Sequence, residues 1–184
     1  MGINLKAKAI IIAGIQGTGK TYLVKYLSRF FNAIVYSPYY EEWANEDVAF
    51  VKTTDFIKEF PTWCSKFVDL AKRNKINLVI IDDADLIFRT HFDVCQSFRE
   101  LHIKRRHLGS GVALAYVTRR PQDIPTKIYG SCEFWALFSN NSPQVIDLLN
   151  KLHNNLGDLV ASLNYESYEF LLKEIGKEPV KMKV

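Results

Sequence analysis

The sequence predicts an α/β domain, in which a doubly wound, mainly parallel sheet carries helices on both faces and a β-hairpin ends the chain. Continuous apolar runs at residues 9–13, 78–81 and 112–117 are typical of parallel strands that helices cover on both faces. Segments with helical periodicity separate these runs, as in successive βαβ units. A glycine-rich loop, residues 14–19, directly follows the first run, which is where doubly wound domains bind phosphate groups.

This loop satisfies the phosphate-binding pattern GxxxxGK[ST] from Gly14 to Thr21, with a buried strand before it and a helix after it. Its glycines allow positive φ angles and let backbone N–H groups converge on a polyphosphate. Lys20 adds a mobile positive charge for the β and γ phosphates, and Thr21 offers a hydroxyl ligand for Mg²⁺. The pattern therefore predicts ATP and Mg²⁺ as cofactors. The predicted nucleotide-binding residues are Gly14, Ile15, Gln16, Gly17, Thr18, Gly19, Lys20, Thr21 and Tyr22.

The other elements of the first half follow from hydrophobic periodicity and from helix start and stop signals. Helical spacing of apolar residues follows the loop, and Pro38 ends the second strand. The predicted elements are a strand at 7–13, a helix at 19–31, strands at 33–37 and 48–51, a helix that Thr54 or Asp55 caps and Pro61 interrupts, and its continuation at 62–74.

The second half continues the alternation and then ends in a hairpin. Gly109-Ser110-Gly111 is a stop signal after a long helix, and Ser142-Pro143 is a helix start. The predicted elements are a strand at 77–81, a helix at 92–107, strands at 112–117 and 133–138, a helix at 143–153, and a hairpin with arms 158–163 and 168–172. We expect residues 1–176 to form a single domain and residues 177–184 a mobile basic tail.

Composition limits the classes of protein that fit. The chain has 184 residues, enough for one ordinary domain, and a formal net charge of +4, which permits a nucleic-acid partner without requiring one. Its apolar runs are too short for a membrane-spanning helix, and no signal peptide is apparent. The odd number of dispersed cysteines predicts neither disulfides nor a structural zinc site, so we expect a reducing, cytoplasmic setting.

Two carboxylates follow the buried strand at 77–81. Asp82 lies where a strand-end carboxylate would hold Mg²⁺ or its water beside Thr21, because the carboxyl ends of parallel strands face one crevice. Asp83 suits a general base or a group that positions water for attack on the γ phosphate. Many ATPases use glutamate at this position, so Asp85 is the next candidate to share the role.

A third strand end supplies Thr118-Arg119-Arg120-Pro121. The order of phosphate loop, acidic strand end, helix ending in Arg106-His107-Leu108-Gly109, and this strand end resembles the HerA/FtsK superfamily of DNA-pumping ATPases. In that family the corresponding strand usually ends in a threonine-glutamine-arginine-proline type of sequence, followed by an isoleucine-proline pair that Ile124-Pro125 matches. The resemblance covers residues 8–172.

The resemblance implies a RecA-like domain that acts in a ring, usually of six subunits, and translocates double-stranded DNA with ATP. A compact chain of this kind is similar to the genome-packaging ATPases of membrane-containing or archaeal viruses. Such a protein would work in the host cytoplasm or with the virion, against a capsid or viral membrane protein. The family's polar sensor is often glutamine, whereas this chain has Arg119, so we assign the sensor role jointly to Thr118 and Arg119. The predicted catalytic residues are Lys20, Asp83, Thr118 and Arg119.

Ring ATPases also use an arginine from a neighbouring subunit. The candidates in this chain are Arg99, Arg105, Arg106, Arg119 and Arg120. DNA contacts should go to phosphates, since a motor must move over any sequence. The basic residues considered for those contacts are Lys52, Lys58, Lys72, Arg73, Lys75, Arg89 and Lys127, with the segment Arg89-Thr90-His91 of most interest.

Three other functions are compatible with the phosphate loop. An assembly or secretion ATPase resembling the zonula-occludens-toxin-like proteins of filamentous phages belongs to the same superfamily and acts at a membrane. A small-molecule kinase would need an arginine-rich lid and an acceptor pocket. A regulatory nucleotide switch would hydrolyse slowly, and the NKxD motif of GTPases is absent.

Overall fold

An eight-stranded sheet organises the protein, for which the computed structural model describes residues 4–90 and 95–184. The strand order is β3-β2-β4-β5-β1-β6-β7-β8, and only the pairings of β7 with β6 and with β8 are antiparallel. The predicted doubly wound, mainly parallel sheet is therefore confirmed. The strands are β1 (Ala9–Ala13), β2 (Ala33–Tyr36), β3 (Ala49–Phe50), β4 (Leu78–Ile81), β5 (Ala113–Thr118), β6 (Phe134–Phe138), β7 (Glu169–Glu174) and β8 (Val180–Lys183).

Helices cover both faces, as predicted. The first helix packs Leu23, Val24 and Leu27 on the face that carries Ile10 and Ile12. The second, fourth, sixth and seventh helices contribute apolar side chains to the core on the opposite face. The helices are α1 (Lys20–Ser28), α2 (Phe56–Lys72), α3 (Ala84–Thr90), α4 (Gln96–Lys104), α5 (Thr126–Tyr129), α6 (Pro143–Leu152) and α7 (Leu156–Ala161), and short 3-10 turns lie at 40–43, 105–107, 121–123 and 165–167.

Pro61 does not interrupt α2, contrary to the prediction. The side chain of Asp55 accepts a hydrogen bond from the Lys58 N–H and caps the helix start. Pro61 lies in the second turn, so its missing N–H costs only one intrahelical bond. Phe60, Cys64, Phe67, Val68 and Ala71 are buried along one side of the helix, and this apolar burial outweighs the lost bond.

The predicted helix at 92–107 is shorter in the structure. Its first residues lie partly outside the described part of the chain, α4 covers Gln96–Lys104, and a 3-10 turn follows at 105–107. The sequence reading also missed α3, which begins directly after the two carboxylates at the end of β4. The backbone turns at this point because Asp83 adopts a positive φ of 44°.

The C-terminal hairpin is present, but its arms differ from those predicted. Residues 158–161 belong to α7, because Leu156 and Val160 are one helical turn apart and both are buried. The hairpin is formed by β7 and β8, with Phe170 opposite Met182. The expectation of a mobile tail is therefore wrong for residues 180–183, which form the last strand of the sheet.

No helix within residues 4–90 and 95–184 is long and apolar enough to cross a membrane.

A buried polar cluster joins α4 to the sheet at the edge opposite the phosphate loop. His102 Nδ1 lies 2.7 Å from the Tyr116 hydroxyl, and Nε2 lies 2.5 Å from the Ser131 hydroxyl. Arg105 donates to the carbonyl of His102 and to the carboxylate of Glu133, each at 2.6 Å. Burial, helped by the positive charge of Arg105, lowers the pKa of His102 to about 4. The imidazole is therefore neutral in the folded protein near pH 7.

We expect His102→Gln to reduce the acid sensitivity of the fold. Because the folded-state pKa of about 4 lies below the ordinary value of 6.5, the unfolded chain binds more protons between these values. The stability therefore falls as pH drops through this window. The free energy of unfolding, measured with urea, should fall between pH 7 and pH 4.5. The fall in wild type should exceed that in the variant by on the order of 2 kcal/mol.

His107→Gln is the matched control, because it replaces an exposed histidine three residues after α4 ends. The same pH dependence in wild type and His102→Gln would contradict the assignment.

Candidate active site

The phosphate loop joins β1 to α1 at the carboxyl edge of the sheet. The loop backbone is tied to neighbouring strand ends, since the Gly14 N–H donates to the Thr118 carbonyl at 3.3 Å. Gly19 has a φ of 102°, a region that side chains rarely adopt, and a Cβ there would lie 3.1 Å from Cδ1 of Tyr168. Lys20 Nζ donates to the Ile15 carbonyl at 2.7 Å, so the lysine folds back over the loop.

The Lys20 ammonium group is placed in an unfavourable environment that a polyphosphate would relieve. Only 8% of the residue is exposed. Burial and, to a smaller extent, the charge of Arg119 lower its pKa to about 8, although the carboxylates of Asp82, Asp83 and Asp85 oppose the shift. Phosphate oxygens beside Nζ would favour the charged form. Phosphate binding by Lys20 remains a prediction from the sequence, and this environment is compatible with it.

Asp82 lies directly after β4 and is equally desolvated. Its two carboxylate oxygens each accept a bond at 3.0 Å, one from the Ser37 hydroxyl and one from the Asp83 N–H. Burial, followed by the charge of Asp83, raises its pKa to about 6. A cation beside this carboxylate would favour its ionised form.

These residues fit the Mg²⁺ that the motif implies. The Asp82 carboxylate and the Thr21 hydroxyl are the hard oxygen ligands that Mg²⁺ prefers. Among the residues that the structure describes, no group of three or more His, Cys, Asp or Glu side chains could enclose a metal. An ion that retains water and phosphate oxygens, rather than a cage of protein ligands, therefore matches this edge.

Asp83 and Arg119 face each other just beyond the ends of the neighbouring strands β4 and β5. Asp83 is half-buried and its carboxylate lies 3.7 Å from Arg119 Nη2. Burial raises the pKa of Asp83, and the guanidinium of Arg119 opposes this. Arg119 Nη1 also lies 3.5 Å from the side-chain oxygen of Gln16. Arg119 therefore links the predicted base to the tip of the phosphate loop.

Thr118 is completely buried, and its hydroxyl donates to Asp85 at 2.8 Å while accepting from the Arg120 N–H at 3.0 Å. Asp85 is thus held by the strand end. This pairing joins the start of α3 to the end of β5.

The structure brings together Lys20, Asp82, Asp83, Thr118 and Arg119 at one sheet edge. Of the other arginine candidates, Arg120 lies at this edge, directly after Arg119. Arg105 and Arg106 lie near the start of β5, at the opposite edge, and both contact Glu133.

Sequence reasoning missed Ser37, Tyr165 and Tyr168. Ser37 could have been found, because it ends a predicted parallel strand on the same edge as Asp82. No local signal identifies Tyr165, whose hydroxyl donates to the Gln16 carbonyl at 3.1 Å, because nearly the whole sequence separates the two residues.

We expect Asp82→Asn to stabilise the ligand-free protein at neutral pH while abolishing ATP turnover. The folded-state pKa of about 6 lies above the ordinary value of 3.8, so the folded state binds more protons in between and the contribution of Asp82 to stability falls as pH rises. The test is urea unfolding without nucleotide or Mg²⁺. Between pH 4.5 and 7.5 the free energy of unfolding of the variant should rise relative to that of wild type by on the order of 2 kcal/mol.

Asp69→Asn, on the exposed side of α2, is the control for the substitution itself. A variant that loses stability relative to wild type over this pH range would show that Asp82 is not desolvated as described.

Comparison with known proteins agrees with this geometry. No curated protein sequence matches the chain. Among solved structures, the chain is similar to the DNA-packaging ATPase B204 of Sulfolobus turreted icosahedral virus, with 18% identity, 98% of each chain covered and a TM-score of 0.77. The genome-packaging NTPase B204 of Sulfolobus turreted icosahedral virus 2, in complex with ATP-gammaS, matches with 17% identity, 96% and 97% coverage and a TM-score of 0.77.

The N-terminal domain of zonular occludens toxin from Neisseria meningitidis is a more distant match, with 13% identity, 96% and 93% coverage and a TM-score of 0.60. At these identities the matches establish a common fold. The sequence model for the ATPase family associated with various cellular activities (AAA) matches residues 10–140, from β1 to just past β6. With its phosphate loop, strand-end carboxylates and this match, the chain belongs to the AAA family of P-loop ATPases.

Proposed function

We propose that this ATPase is a motor of the HerA/FtsK type that translocates double-stranded DNA, and that it packages a viral genome into a capsid. The observation that carries the proposal is the likeness to B204, which spans 98% of each chain. The shared fold therefore extends beyond the phosphate loop and includes the C-terminal hairpin. The working location would be the host cytoplasm or the virion, beside a capsid or viral membrane protein.

Each residue at the carboxyl edge has a proposed role in hydrolysis. The loop N–H groups and Lys20 bind the β and γ phosphates, and Thr21 with Asp82 would hold Mg²⁺, which neutralises phosphate charge when bound. Asp83 accepts the proton of the attacking water, a role that its raised pKa favours. Arg119 stabilises charge on the γ phosphate from within the subunit, and Thr118 senses the nucleotide through Asp85.

A ring, with six subunits as the proposed number, would complete the site with an arginine from a neighbour. Arg105 is a poor candidate because its guanidinium is buried and bonded to Glu133. Arg106 shares the same carboxylate at 2.6 Å. Arg120 is exposed at the nucleotide edge, and its side chain contacts no partner within the part of the chain that the structure describes. We therefore propose Arg120 as the arginine that acts in trans, ahead of Arg99.

A basic surface at the opposite edge of the sheet supports a DNA partner. The helices α2 and α4 end side by side there, since the Ser110 N–H donates to the Asn74 side chain at 2.7 Å. The carboxylates on this surface are each shared by two cations. Glu100 contacts Lys72 and Lys104. Glu133 contacts Arg105 and Arg106. We call this surface the basic edge, and its exposed cations are Lys72, Arg73, Lys75, Lys104 and Arg106.

The sequence supports the same assignment. Residues 70–81 and 101–122 contain no acidic residue, so positive charge accumulates where both segments meet. A surface that binds phosphates of any sequence needs an excess of positive charge of this kind. Of the other basic residues considered, Lys58 pairs with Asp55 at 3.0 Å, and the side chain of Arg89 and residue His91 lie outside the described part.

A second candidate function is an assembly or secretion ATPase, which the match to the zonular occludens toxin domain favours. That activity would not require DNA. A small-molecule kinase or a nucleotide switch has no comparable support.

The proposal predicts ATP turnover that rises severalfold with linear double-stranded DNA, independently of its sequence. Because phosphate contacts release counterions, the stimulation should weaken steeply with salt. Turnover, with sizing of the particle by light scattering, measures both properties, and Lys20→Ala should be inactive. A monomer with turnover that ignores DNA, or phosphate transfer to a metabolite, would refute the proposal.

The basic edge can be tested in the same assay. The double variant Arg73→Ala/Lys75→Ala should keep the DNA-free turnover and lose most of the stimulation. Lys58→Ala/Lys66→Ala, within α2 and before its C-terminal end, is the matched control with equal charge loss.

Mixed rings test Arg120. Arg120→Ala and Lys20→Ala should each be inactive alone, whereas a mixture should recover turnover. Turnover recovers because some sites then combine the intact Lys20 of one subunit with the intact Arg120 of its neighbour. A mixture that stays inactive would exclude a trans role for Arg120. Arg73→Ala mixed with Lys20→Ala is the control for simple dilution of active subunits.

A further inference from the structure

Three tyrosines line the phosphate loop on the side that catalysis does not use. Cδ1 of Tyr168 would lie 3.1 Å from a Cβ on Gly19, and its ring centre lies 6.0 Å from that of Tyr22. The hydroxyl of Tyr165 donates to the Gln16 carbonyl at 3.1 Å. We call Tyr22, Tyr165 and Tyr168 the tyrosine flank.

The sheet topology fixes where this flank lies relative to the carboxylates. β1 carries the loop and lies between β5 and β6. The γ-phosphate machinery, with Asp83 and Arg119, is on the β5 side. On the other side β7 runs antiparallel to β6, with Phe138 opposite Phe170. Tyr168, two residues before Phe170, therefore lies at the carboxyl end of β6, beside the loop.

A bound nucleoside triphosphate has only one orientation on this loop that permits hydrolysis. Its γ phosphate must approach Lys20, Asp83 and Arg119, because those groups supply the charge and the base for phosphoryl transfer. The nucleoside must then leave the loop in the opposite direction. It passes the start of α1 at Thr21 and Tyr22 and reaches the side that β6 and β7 form.

The flank offers a surface suited to a planar base. Tyr22, Tyr165 and Tyr168 remain 66%, 45% and 42% exposed, although they adjoin a site that binds charged phosphate. Of the three tyrosines, Tyr22 lines a neighbouring cavity of about 460 Å³, which is sufficient for a nucleoside. The other residues that line this cavity are Thr21, Lys25, Tyr26, Arg29, Glu46 and Val184. The N–H of Val184, the residue after β8, donates to the Tyr168 carbonyl at 3.3 Å and so holds the backbone of Tyr168.

The backbone of Tyr168 is strained, and stacked aromatic rings in the core lie behind it. Its φ of 52° lies in the left-handed region, which costs free energy for a residue with a side chain. Behind it, Phe138 and Phe170 stack with ring centres 5.1 Å apart in the core. A strained residue with a supported backbone and an exposed ring is typical of a preorganised contact.

We propose that the tyrosine flank is the nucleobase subsite of this ATPase, in which Tyr168 and Tyr22 stack on the purine of ATP. The assignment rests on the proposed function only in taking a nucleoside triphosphate as the ligand. Tyr165 has a different role: its hydroxyl bonds the loop backbone and so positions the phosphate-binding groups. Stacking needs only the ring, whereas loop positioning needs the hydroxyl.

The test compares binding of Mg-ADP with binding of Mg-pyrophosphate by calorimetry, because the two ligands share phosphates and differ in the nucleoside. Tyr168→Ala and Tyr22→Ala should each weaken ADP binding about fivefold to tenfold, in the range of aromatic stacking on a base. They should leave pyrophosphate binding unchanged. Tyr168→Phe should retain ADP binding, and Tyr165→Phe should weaken both ligands by the same factor.

Phe30→Ala is the matched control, because Phe30 is 65% exposed just beyond α1 and away from the loop. The subsite assignment would be refuted if both alanine variants lost the same affinity for ADP and for pyrophosphate. It would also be refuted if ADP binding were unchanged in both variants. Neither result depends on DNA, so a protein whose turnover ignores DNA but which shows the selective ADP loss would refute translocation and keep the subsite.

Discussion

The burial of both Lys20 and Asp82 is the constraint on which the nucleotide edge depends. Burial shifts both groups toward neutrality: the pKa of the lysine falls to about 8 and that of the aspartate rises to about 6. The Ile15 carbonyl accepts a hydrogen bond from the ammonium, and the carboxylate accepts bonds from the Ser37 hydroxyl and the Asp83 N–H. A magnesium nucleotide would supply opposite charge to both groups and would therefore stabilise the folded protein.

The sheet holds these charges in place because its central strand is fixed at both ends. At the amino end of β1, the Ala9 N–H donates to Glu133 at 2.7 Å, and that carboxylate also binds Arg105. At the carboxyl end, the Gly14 N–H donates to the Thr118 carbonyl. Between them every residue of β1 is buried. The apolar burial of the strands offsets the cost of two desolvated polar clusters at opposite edges.

Local patterns sufficed to predict the phosphate loop, α1 and the strand ends at Asp82 and Thr118, because each is encoded by a few consecutive residues. The remaining features depend on contacts between distant segments. The run at 158–163 looks like a strand by composition, yet Leu156 and Val160 bury one helix face against α6. Asp85 could be placed near the site from sequence, but its bond to Thr118 follows only from α3 turning back toward β5. The tyrosine flank exists because an antiparallel strand returns its first residues to the loop.

The charges of a single chain do not balance a bound nucleotide. Two cations, Lys20 and Arg119, face the carboxylates of Asp82, Asp83 and Asp85. Mg-ATP adds further negative charge to this set, and phosphoryl transfer concentrates it on the γ phosphate. Arg119 is shared, since its guanidinium lies between Asp83 and Gln16, so any contact it makes to phosphate weakens its hold on the base. Arg119 can therefore either hold Asp83 or contact the phosphate, so a second cation is needed to stabilise the phosphate while Asp83 stays in place. The proposed ring supplies that cation from the neighbouring subunit, which makes hydrolysis conditional on assembly.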